Sequence, residues 1–153
     1  KQWFDGTVIL SGSIGDGHSV ASAIALGADF AYLGTRFIAT EEANAEPEYK
    51  KMLEESAAKD IVYSSLFTGV LGNYLKPSIE NAGMDPENLP DADKTSMNFG
   101  SGGNTDSKAW KDIWGSGQGI GGIQDSPTVS DLVGRLKKEY EEAFNEFKSK
   151  MGV

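Results

Sequence analysis

The decapeptide "SGSIGDGHSV", residues 11–20, sets Gly12, Gly15 and Gly17 among serines directly behind the apolar run Thr7-Val8-Ile9-Leu10, and it holds the chain's only histidine, His18. A glycine-rich loop between a strand and a helix offers backbone N–H donors, and the helix dipole adds partial positive charge, so such a loop suits an anion. The glycine order does not match the dinucleotide fingerprint, and no lysine follows to make a P-loop. Taken alone, these residues fit a phosphate cradle or a plain strand-to-helix turn. Gly34-Thr35-Arg36 repeats the theme after a second apolar run, with a small residue, a hydroxyl and a cation. In (β/α)₈ barrels the loops after strands 7 and 8 jointly form a frequent phosphate site. Pairing the two loops therefore favours the cradle over the bare turn.

The other chemistry-bearing residues are less specific. His18 has no placed partner and stands at an expected helix start, so it reads as a helix-start or solvent-facing residue. Asp85, Glu87, Asp91 and Asp93 do not follow the calcium-loop spacing and are interrupted by Pro90, which reads as a solvated acidic loop without a metal. Trp110 and Trp114 are one helical turn apart and are expected to pack together in a core.

The elements that must carry these groups follow from periodicity. Thr7–Leu10 is uniformly apolar and reads as a buried parallel strand. From His18 to Leu26, Val20 with Ile24 and Ala21 with Ala25 share a helical face, and Gly27 sits where a helix stop is wanted. Ala28–Leu33 is a second strand, which makes a strand, loop, helix, strand unit and hence a parallel pair. An amphipathic helix is expected over Pro47–Ala58, a strand over Ile61–Phe67 and a short helix around Lys76–Asn81. Residues 82–108 read as a long polar loop. Val129, Leu132, Val133, Leu136, Tyr140, Ala143 and Phe147 predict a long terminal helix with an apolar stripe that must cover something.

Bulk properties narrow the class. With 153 residues the chain is about one average domain and short for a whole barrel of roughly 250 residues. A net charge of −9 removes the basic footprint that attracts nucleic acid or anionic lipid. No apolar run is long enough for a membrane span. Zero cysteines exclude a disulfide framework and thiolate chemistry and suit a reducing cytoplasm. Lys1-Gln2-Trp3-Phe4-Asp5-Gly6 does not read as a signal peptide, and a start on lysine suggests a segment of a longer protein.

At "ILSGSIGDGHSVASAIALGADFAYLGTRFIATEEA", residues 9–43, the sequence resembles the carboxy-terminal part of the nitronate monooxygenase family, formerly called 2-nitropropane dioxygenases. The resemblance runs on through "SSLFTGVLGNYLKPSI" and "AWKDIWGSGQGIGGI" and extends to related FMN-dependent enoyl reductases. It implies an α/β fold, the last part of an FMN-binding (β/α)₈ barrel, with strands 7 and 8 within residues 1–40 and helices and a long loop over 41–153. It implies FMN as cofactor, its phosphate held by backbone amides of Gly12 and Ser13 and of Gly34 and Thr35, with Ser11 and Arg36 adjacent. Gln118 falls in a segment resembling the family's barrel-closing region. Arginine is usual in the family where His18 stands, and the family's proton-abstracting histidine belongs to an earlier strand, so no catalytic residue is assigned here. The implied activity is oxidation of alkyl nitronates with O₂, with enoyl-thioester reduction, or a non-catalytic fragment or oligomerisation segment, as alternatives. Two strands cannot close a barrel, so the preceding barrel strands or a second copy of the chain is expected as partner, and a homo-oligomer with it.

Overall fold

The computed structural model describes residues 3–90 and 112–152. The chain is α/β and divides into two compact units, residues 1–55 with 119–153 and residues 56–118.

The first unit is built on β1 (Ile9–Ser11), α1 (Gly17–Ala25) and β2 (Phe30–Tyr32). β1 and β2 pair in parallel with Ser11 opposite Tyr32, as the strand-loop-helix-strand pattern requires. Asp29 ties the entry of both strands, its backbone N–H donating to the Val8 carbonyl and its carboxylate accepting from the Val8 N–H. Asp16 caps α1 by accepting from the Ser19 N–H at 2.6 Å. Gly27 (φ +94°) ends the helix in the left-handed region, where a Cβ would be strained.

The burial expected of the first strand does not hold, and the second is exposed as well. Ile9, Phe30 and Tyr32 are 58%, 61% and 63% exposed. An all-apolar strand is suited to cover on both faces, but among the described residues β1 and β2 pair only with each other. β1 also begins two residues later than Thr7 and ends one residue beyond Leu10, which brings Ser11 into the strand itself.

After β2 come α2 (Thr35–Ile38) and α3 (Pro47–Glu55), which buries Leu53. The terminal helix α5 (Val129–Met151) runs four residues beyond the expected stripe. Thr128 and Asp131 cap it, both oxygens of Glu42 accept from the Val129 N–H, and Gly152 (φ +72°) ends it. Its stripe is covered only in part. Leu132 is buried and α5 packs on α1, whereas Phe144, Phe147 and Met151 stay exposed.

The second unit pairs β3 (Ile61–Ser64) antiparallel to β4 (Gly72–Leu75), which leads straight into α4 (Lys76–Asn81). The strand at 72–75 is not legible in the periodicity. It forms because Tyr74 packs edge-on to Phe67, ring centroids 4.8 Å apart, over a core with Ile79 and Ile113. Trp114 is not helical: it is half-buried, and its carbonyl accepts from the Leu75 N–H. Trp110, Asp91 and Asp93 lie outside the described residues, as does most of the 82–108 loop. Among the described residues no helix is long and apolar enough to cross a membrane.

Candidate functional site

Parallel pairing decides what the two small-residue loops can do together. With Ser11 beside Tyr32, the segments Gly12–Ser13 and Gly34–Thr35 leave the same ends of adjacent strands. Gly12 (φ +98°) and Ser13 (φ +55°) are both left-handed, and Ser13 is the one non-glycine residue with positive φ among the described residues. Consecutive turn-like residues of this kind make a concavity of backbone N–H groups suited to anions. Both residues are exposed, and among the described residues no group accepts a hydrogen bond from either N–H. Gly34 is exposed as well, and a Cβ built on it would meet nothing within 4 Å. Thr35 is half-buried at the first turn of α2, and the Ser11 hydroxyl donates, at a long 3.5 Å, to the Tyr32 carbonyl.

The remaining glycines of the decapeptide do other work. Gly17 opens α1 against α5: a Cβ there would crowd the Leu136 carbonyl oxygen, the Tyr140 nitrogen and the Glu139 Cβ. Its N–H donates to Glu139 Oε2 at 2.8 Å, so the acid on α5 already occupies that donor. The Gly15 N–H donates to Ser19 Oγ at 3.1 Å. The free donors are thus confined to the strand-proximal part of the loop. His18 is exposed on the first turn of α1, and its carbonyl accepts from the Ser22 hydroxyl.

Arg36, which the resemblance places adjacent to the phosphate loops, is engaged by partners of its own. The residue is 3% exposed; its guanidinium donates to the Ala39 carbonyl at 3.0 Å, to the Asp125 carbonyl at 3.1 Å and to Asp125 Oδ1 at 2.8 Å. Burial lowers its affinity for the proton, with Asp125 opposing the effect. Asp125 also accepts two bonds from Arg135, which holds its carboxyl below the usual range. A buried cation committed to a half-exposed carboxylate is a structural tie.

Gly119 and Asp125 are site-supporting residues that the sequence does not reveal. A Cβ at Gly119 would lie 2.9 Å from the Ser13 carbonyl carbon, so loop and segment touch backbone to backbone. A glycine cluster signals some close approach, but not to which partner. Gln118, the first residue of the 3₁₀ turn Gln118–Gly122, is exposed. Asp85 and Glu87 are engaged locally. Asp85 accepts from the Glu87 N–H and the Asn88 amide, and Glu87 pairs with Lys76.

A parallel α/β unit with two small-residue loops at the same strand ends is an arrangement in which phosphate sites recur. The chain belongs to the nitronate monooxygenase family, whose model matches residues 6–139. A nitronate monooxygenase of Paraburkholderia phytofirmans is 37% identical over 79 residues, 52% of this chain and 22% of the relative. The nitroalkane oxidase of Streptomyces ansochromogenes superposes with a TM-score of 0.70 at 27% identity, over 94% of this chain and 42% of that one. FabK of Thermotoga maritima shares the fold, with a TM-score of 0.68 at 21% identity over 96% of this chain and 48% of that one. These solved neighbours are TIM-barrel enzymes. The chain spans less than half the length of each of these relatives.

Proposed function

We propose that this chain carries the FMN-phosphate site of a flavin-dependent oxidoreductase that oxidises alkyl nitronates. The observation that supports the reading best is the pair of loops itself: Gly12–Ser13, with two unengaged N–H groups in left-handed conformation, beside an open Gly34. These residues fit a phosphate. The donors are backbone amides, a Cβ at Gly12 or Gly34 would meet nothing within 4 Å, and Arg36, next to Thr35 in sequence, is engaged in its own ion pair, so selectivity rests on hydrogen-bond geometry. The Gly12, Ser13, Gly34 and Thr35 amides would bind and orient the phosphate, with Ser11 at the end of β1 beside them. Bound FMN would supply the redox chemistry at this site. Its placement is the work of this chain, whereas the proton-abstracting base belongs to other residues of the whole protein. The uncovered faces of β1 and β2 take the preceding part of the barrel as their partner, these strands then being its seventh and eighth.

Gly34→Val tests the site. Residue 34 has negative φ and open space at its Cβ position, so valine is accommodated by the chain itself, and lost flavin would report crowding of the phosphate. The expected result is a native circular dichroism spectrum with FMN lost on dialysis. Unchanged FMN occupancy would refute the site.

A further inference from the structure

The two proposed phosphate loops are contacted from behind by one short segment. At its start, Gly119 abuts Ser13: a Cβ there would lie 2.9 Å from the Ser13 carbonyl carbon and 3.1 Å from its Cα and carbonyl oxygen. The approach is reciprocal, since a Cβ on Gly15 would lie 3.1 Å from the Gly119 carbonyl oxygen. At the end of the segment, Asp125 accepts from the buried guanidinium of Arg36, the residue next to Thr35. Between these points Ile120 and Ile123 are 0% and 2% exposed, so the segment is anchored to the body of the unit. Arg135 on α5 holds Asp125 from the other side.

We infer that Gly119–Asp125 is a positioning strap for the phosphate cradle, Gly119 fixing the Gly12–Ser13 loop and Asp125 fixing the Gly34–Thr35 loop through Arg36. This rests on the proposed flavin site. A left-handed non-glycine residue such as Ser13 persists only where its surroundings hold it, and the Gly119 backbone is the contact that backs it. Separate loops would have to be ordered by the ligand; a common strap sets their spacing beforehand, which spares the cost of ordering them on binding. Gly119, Arg36 and Asp125 touch no ligand in this scheme and act through the amides they place.

The test compares FMN with riboflavin, which lacks the phosphate, by flavin-fluorescence titration of the full-length protein and its Gly119→Ala and Asp125→Asn variants. Loss of one charge-assisted bond corresponds to about tenfold in affinity or more. Asp125→Asn is therefore expected to bind FMN about tenfold more weakly, and Gly119→Ala, whose Cβ displaces the Ser13 backbone, is weakened in the same direction, both with riboflavin affinity nearly unchanged, so that the preference for FMN collapses. A general loss of stability would weaken both flavins alike. Wild-type preference for FMN retained in both variants overturns the strap. A wild-type protein that binds the two flavins equally overturns the phosphate site, before any variant is made. Should Gly119→Ala fail to fold by circular dichroism, Asp125→Asn decides alone, and a retained FMN preference there overturns the inference.

Discussion

Gly17→Ala should be among the most damaging single-methyl additions to the first unit. The new Cβ would stand within 2.6 Å of three atoms on α5, two of them backbone, the Leu136 oxygen and the Tyr140 nitrogen. Backbone cannot rotate aside as a side chain can, so α1 and α5 must move apart to restore ordinary contact. Overpacking of this kind costs about 1–3 kcal/mol. Separation also stretches the bond from the Gly17 N–H to the Glu139 carboxylate, now 2.8 Å, and a hydrogen bond to a charged group contributes about 1.5–3 kcal/mol. Since the helices relax partly, the two costs overlap, and about 2–4 kcal/mol is expected in total. For a chain of this length that lowers the melting temperature by on the order of 10 °C. Thermal unfolding followed by far-ultraviolet circular dichroism measures it, with Glu139→Gln as the comparison that keeps an acceptor and adds no volume. A Gly17→Ala variant melting within about 2 °C of wild type, less than about 1 kcal/mol, would refute the argument that α1 and α5 meet at backbone contact.

Ile79→Ala removes a fully buried side chain from the core of the second unit and should cost about 2–5 kcal/mol in urea unfolding. Asp125 has its pKa lowered, first by its hydrogen bond with Arg135, so its contribution to stability is fully present above the ordinary carboxylate pKa of about 3.9 and is lost as pH falls through the lower folded value. Asp125→Asn should therefore melt lower at neutral pH and lose part of the acid sensitivity, as melting temperatures measured across pH will check. Tyr49 is pushed up to about 12 by burial, so an ultraviolet titration should show one phenol ionising well above the ordinary phenol pKa of about 10.

Most local structure was legible because it depends on neighbours in sequence. Gly27 follows a helical face and Gly152 ends the last helix, and both take the left-handed conformation that glycine allows. The starts of α3 at Pro47, α4 at Lys76 and α5 at Val129 agree with the pattern, and so does the parallel pairing of β1 with β2. The helix start at Gly17 lies one residue before the His18 that the periodicity gives, because Asp16 caps it through Ser19. The family resemblance was legible because its motifs recur over most of the chain.

The roles of individual glycines and charges were not legible, since they depend on which distant backbone arrives. Gly12, Gly15, Gly17 and Gly119 are the same residue in a string of letters. Only the tertiary structure separates Gly12, held at φ +98° with its N–H unengaged, from Gly17 and Gly119, which are small because a helix or a loop lies against them. Arg36 shows the same division. Position beside Gly34-Thr35 suggested a phosphate ligand, but Asp125, 89 residues on, claims its guanidinium. Apolar composition likewise marked β1 as a strand made for burial, whereas its exposure depends on what packs over it, which local pattern does not encode. Sequence alone determined most of the elements, the parallel unit and the family; the fold decided which donors face outward and which residues hold them there, because close approach and ion pairing are properties of distance in space.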